Sequence, residues 1–158
     1  MDSKNEQQII LEQYKIYSEA KDKFIDRQFS NNKFYLVLNI VILLTTYVLS
    51  GLFPQKEILI IIMSFIGISL TLMWWMNIDS YQLLIKIKYS KVLEYLETKL
   101  PEQPYYKEFQ DYKAIKQQKN LIVFGDFQKI LALVISSVYF IAGVYEIVNV
   151  LKNLFLYS

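Results

Sequence analysis

"ILIIIMSFIGISLTLMWWM", Ile58 to Met76, runs for nineteen residues without a charge. At about 1.5 Å per residue, a helix of that length crosses a hydrocarbon core of about 30 Å. Its small hydroxyls, Ser64, Ser69 and Thr71, can return hydrogen bonds to their own helix backbone. Trp74 and Trp75 then stand side by side, and Asn77, Asp79, Ser80 and Tyr81 follow at once. This order, an apolar rod, an aromatic collar and a group of polar side chains, is expected where a helix leaves a bilayer.

Upstream lies a second uncharged run of the same length, "FYLVLNIVILLTTYVLSGL", Phe34 to Leu52. Only "FPQKE" separates the two, and Pro54 within it marks a tight turn. Two antiparallel spans joined so briefly form a hairpin. Downstream, "ILALVISSVYFIAGVYEIVNVL", Ile130 to Leu151, is a third apolar run with a single acid, Glu146. The expected fold is an all-α integral membrane protein with three transmembrane helices. The chain divides into a cytoplasmic amphipathic helix (1–33), a transmembrane hairpin (34–76), a cytoplasmic helix and loop (77–128) and a third span with an outer tail (129–158).

Composition agrees. Of 158 residues 54% are hydrophobic, and Gly and Pro number only 4 and 3, too few for a many-stranded sheet. There is no Cys and no His, which excludes disulfides, thiolate and imidazole metal sites, and Ser-His-Asp triads. Six basic residues precede the first span, one lies in the hairpin turn, eight lie between the second span and Lys119, and Lys152 alone follows the third span. That alternation places the N-terminus inside and the C-terminus outside.

Before the first span, Ile10, Tyr14, Tyr17, Phe24 and Gln28 fall near heptad spacing among charged residues. They define an amphipathic helix of about 20–25 residues. It holds six acids and six bases before Phe34, a balance that favours packing on protein over lying on anionic lipid. After the second span nothing breaks the helix before Pro101. Tyr81, Ile85, Tyr89, Val92, Leu96 and Leu100 form a stripe that can pair with the N-terminal helix. "YYKEFQDYKAIKQQKN" is read as a loop or short helix, and "FGDF" as a turn or interfacial elbow leading into the third span.

The side chains singled out are of three kinds. Trp74 and Trp75 are expected at the membrane interface. Asn77, Asp79, Ser80 and Tyr81 form a polar cluster, either solvated, with Asp79 paired to Lys33 or Lys86, or buried between helices or subunits to fix register. Asn39 and Glu146 are the polar groups inside spans, with a packing or pore role.

The order Trp75, Ser80, Tyr81, Leu84, Lys88, Val92, Glu97, Leu100, Pro101, Pro104 and Tyr105 resembles the RipA-like family of small bacterial integral membrane proteins. The opening helix "LEQYKIYSEAKDKFIDRQFSNN" is similar too, and the likeness extends to about Tyr112. This resemblance implies a bacterial inner-membrane homo-oligomer, an octamer, and brings no catalytic residues. A more distant similarity is to the SLATT effectors of bacterial conflict systems, which implies pore formation.

No P-loop, GxGxxG, paired-histidine or GxSxG motif is present, so no cofactor is implied. In "YYKEFQDYK" Glu108 and Asp111 offset the lysines, which argues against nucleic acid. The expected function is a non-enzymatic, homo-oligomeric membrane scaffold or channel-like assembly. Its partners are itself and the lipid bilayer, and no other protein partner is indicated. The alternatives are a pore-forming effector of a defence or conflict system and a non-catalytic accessory subunit.

Overall fold

From Ser3 to Ser50 the sequence contains no glycine or proline, and the backbone uses that freedom fully. The computed structural model describes residues 3–101, 103, 106–107, 109–111, 114–115 and 124–156. Helix α1 runs unbroken over Ser3–Leu52. The amphipathic segment and the first span are therefore one helix, because nothing between Asn31 and Phe34 costs enough to interrupt it. The Phe53 N–H closes the last turn on the Leu49 carbonyl (3.1 Å), and Pro54 bars continuation.

Helix α2 spans Lys56–Ile87 and passes directly into a π-helical turn, Lys88–Leu93, and a short helix α3, Glu94–Glu97. The Lys99 and Leu100 N–H groups fold back on the Leu96 and Glu97 carbonyls (3.1 and 3.0 Å). The helix thus terminates just before Pro101, as the sequence predicts. Residues 106–107, 109–111 and 114–115 are helical. Expectations resting on Pro104, Tyr105, Glu108, Tyr112 and residues 116–123 lie outside the described residues.

Helix α4 spans Phe124–Leu156. The "FGDF" stretch is consequently its first turn and not an elbow. Asp126 in that turn complements the positive end of the helix dipole, which explains how a glycine-containing start is tolerated.

The chain forms two units. The first comprises Met1–Phe29 with Asp79–Phe124, the second Ser30–Ile78 with Gly125–Ser158. In the second unit the buried positions of α2 are Ser64, Gly67, Thr71, Trp74 and Ile78, spaced alternately by three and four. This is a heptad seam, the pattern that keeps one face turned to its neighbours. Trp74, Ile78 and Ala132 form its apolar centre, flanked by Tyr35, Leu36, Trp75, Leu131 and Ile135. Many large apolar side chains of the spans, among them Phe34, Tyr47, Phe65, Phe140 and Tyr145, point outward, while Trp74, Ile78 and Tyr139 are buried beside Ser64, Gly67 and Thr71. Small and hydroxyl-bearing residues in the seam are expected in lipid, where burying hydrocarbon gives little driving force between helices.

Within the first unit, α1 meets the α2–α3 segment through aromatic and polar contacts. Phe24 lies edge-to-face on Tyr81 at 6.4 Å between ring centroids. The Lys88 ammonium sits 4.6 Å from the Phe24 ring and 5.8 Å from that of Tyr17.

Candidate functional site

The seam of the second unit is narrowest where glycine and serine occur. A Cβ built on Gly67 would overlap the ring of Tyr139, and one on Gly143 would meet Ser64 Cβ at 3.1 Å. Tyr139 can therefore lie flat against the α2 backbone only because Gly67 has no side chain. Its hydroxyl donates to the backbone carbonyl of Asn39 at 3.1 Å, joining α4 to α1. Asn39 itself is fully buried, and its amide N–H returns to the Tyr35 carbonyl at 2.8 Å. Its side chain is thus held inside the seam of the protomer. The Asn39 Oδ1, Asn32 Nδ2 and Gln128 Oε1 atoms are buried with no hydrogen-bond partner among the described residues.

Trp74 is 1% exposed, stacked with Tyr35 at 6.3 Å, and its indole N–H donates to Asn32 Oδ1 at 2.8 Å. It lies in the seam, where its position continues the Ser64–Gly67–Thr71 spacing. Trp75, one residue further around the helix, is half-exposed, and the Lys129 ammonium lies 5.9 Å from its ring.

The polar cluster separates into different environments. Asn77 is half-buried in the second unit. In the first unit Asp79 and Ser80 are exposed, while Tyr81 is half-buried against Phe24. Asp79 and Ser80 are therefore exposed among the described residues of the protomer. Glu146 is half-buried on α4 and accepts a hydrogen bond from the Asn149 amide at 3.2 Å, one turn on.

Among the described residues the most deeply buried charged side chain is Glu97, 1% exposed in the first unit, which the sequence reading named only as a position of the family resemblance and gave no role. Its Oε1 accepts from the Tyr14 hydroxyl at 3.0 Å and its Oε2 from the Tyr106 backbone N–H at 2.9 Å. A buried carboxylate survives only when donors replace its water, and these two come from distant parts of the chain. A stripe drawn at a constant helical period leaves Glu97 outside it. The signal lay in the π turn, where an i→i+5 pattern inserts one extra residue. Before that turn the partly covered positions are Tyr81, Gln82 and Ile85; within it Lys88 is partly covered and Leu93 buried, and after it Leu96 and Glu97 are buried. Leu93, and not Val92, becomes the fully buried residue.

Three helices, α1, α2 and α4, are long and apolar enough to cross a membrane. With the small-residue seam between them they define a polytopic helical membrane protein. The sequence model of the octameric membrane protein family (8xMP) matches residues 11–148, and the chain belongs to that family. Homo-oligomeric self-association within a membrane accords with that family's description. No curated protein and no solved structure matches the chain.

Proposed function

We propose that the chain builds a non-catalytic homo-octameric scaffold in the bacterial inner membrane, with its lysine-rich first unit in the cytoplasm. The observation that carries this reading lies in the first unit. Ile9, Leu11, Ile16, Leu83, Leu84, Ile87 and Tyr95 are exposed there, with Ile16 at 65% and Tyr95 at 61%. They alternate with exposed Glu12, Lys15, Glu19, Lys86 and Lys91. Lipid would reject the charges and water the apolar groups. A second copy satisfies both, with apolar contacts ringed by complementary charges.

The outer faces of the spans favour a scaffold over an aqueous channel. Within residues 34–52, 58–76 and 130–151 the exposed side chains are apolar or tyrosine except Ser69 and Ser137. Those two hydroxyls donate to the Phe65 and Leu133 carbonyls of their own helices, at 2.8 and 2.9 Å. A ring of such faces offers water and ions little polar lining and favours dewetting of a central opening, with half-buried Glu146 and Asn149 bonded to each other.

Native mass spectrometry of the protein in mild detergent tests the assembly, with eight copies expected and a monomer overturning it. Planar-bilayer recording of the same preparation tests the role. Silence is expected, and a steady unitary conductance would replace the scaffold with a channel or pore-forming effector. Reporter fusions at each terminus test the orientation, N-terminus inside and C-terminus outside.

A further inference from the structure

Between α2 and α4, within the second unit, runs a groove of about 470 Å³ that opens sideways. Its floor is Thr71 and Ala132, both nearly fully buried, and its walls are Leu72, Trp75, Leu133 and Phe140. The Thr71 hydroxyl is turned into its own helix, on the Gly67 and Ile68 carbonyls at 3.0 and 2.8 Å. Ser137, on the rim, is turned likewise onto Leu133. A guest therefore meets mainly hydrocarbon, with Ser136 as the remaining hydroxyl in the lining. From Ala132 to Phe140 the slot extends about 12 Å along the helix.

A cation stands at one end of this slot. Lys129, one turn before Ala132, holds its ammonium 5.9 Å from the ring of Trp75, which also walls the groove. Lys129 immediately precedes the apolar run of α4, so its charge lies at headgroup depth, in line with an uncharged slot. An anion followed by extended hydrocarbon complements both ends.

We propose that this groove is a phospholipid site, holding an acyl chain of an anionic glycerophospholipid whose phosphate lies against Lys129. The test is native mass spectrometry of the full-length protein titrated with phosphatidylglycerol or phosphatidylcholine of identical chains. The wild type should retain phosphatidylglycerol about fivefold more strongly, the effect of one lysine beside anionic lipid. Lys129→Gln should abolish that preference and leave the zwitterionic lipid unchanged. Ser137→Trp, which fills the slot from an exposed position without disturbing the seam, should reduce retention of both lipids. Lys33→Gln, an exposed lysine outside the groove, should change neither. Equal retention of both headgroups by the wild type would reduce the site to ordinary boundary lipid and overturn the proposal. So would a Ser137→Trp protein that keeps its lipid but loses its oligomer, since the groove would then belong to a neighbouring copy.

Discussion

Gly67 and Tyr139 form a matched pair whose members are each unremarkable alone. A methyl group at position 67 falls on the Tyr139 ring, so Gly67→Ala must push α4 away or twist the ring off its rotamer. Such overpacking typically costs about 1–3 kcal/mol. Thermal denaturation in detergent should show that loss, and adding Tyr139→Leu should recover part of it by removing the ring. Equal losses from Gly67→Ala in both backgrounds would show that the glycine matters for some other reason. Glu97 is the corresponding residue of the first unit. Glu97→Ala removes the acceptor of both the Tyr14 hydroxyl and the Tyr106 N–H, and a buried unsatisfied group costs about 1–3 kcal/mol. Tyr14→Phe removes only one donor and should be milder. Hydrogen exchange of the first unit would separate the two variants, with Glu97→Ala the faster.

The element that decides which residues face inward is the π turn, Lys88–Leu93. An ideal α-helix advances about 100° per residue, and a π turn takes up one extra residue without passing that rotation on. Deleting exposed Lys91 should close the turn to ordinary α-helix and leave Leu93, Leu96 and Glu97 on the buried face, because they then follow Lys88 at spacings of four and three. Wild-type resistance to proteolysis around residues 93–97 is expected for the deletion, whereas inserting an alanine after Lys91 should turn those residues off the face and speed cleavage there. Equal protection in the insertion variant would mean that the turn is incidental. The same reasoning explains why α1 tolerates Asn31 and Asn32. A helix is broken by lost backbone bonds, and asparagines keep theirs, with Asn32 Oδ1 occupied by the Trp74 indole.

At the scale of the whole molecule, the apolar residues left uncovered in the charged first unit set the prediction. Ile16→Glu places a carboxylate on the face proposed to meet another copy, and should shift detergent-purified protein towards smaller assemblies without unfolding the protomer, since Ile16 is already exposed. Asp79→Ala should lower the temperature at which the oligomer dissociates if Asp79 lies in that contact. Mass photometry along a thermal ramp would show it, and a dissociation temperature equal to wild type would place Asp79 in solvent. Much of this protein was determined by sequence alone. Nineteen uncharged residues have no soluble explanation, so Phe34–Leu52 and Ile58–Met76 announced spans, and Pro54 and Pro101 announced their breaks because a proline cannot extend a helix. Which face of each helix looks inward was settled only in three dimensions. Along α2 polarity alone does not mark a face, since Ser64 and Thr71 are buried while Ser69 is exposed. The seam is chosen instead by close fit, Gly67 under Tyr139 and Trp74 against Asn32, between residues tens of positions apart. Glu97 was hidden for a related reason: one inserted residue in a π turn changes which side chains are buried, and it leaves no mark on a pattern read at constant period.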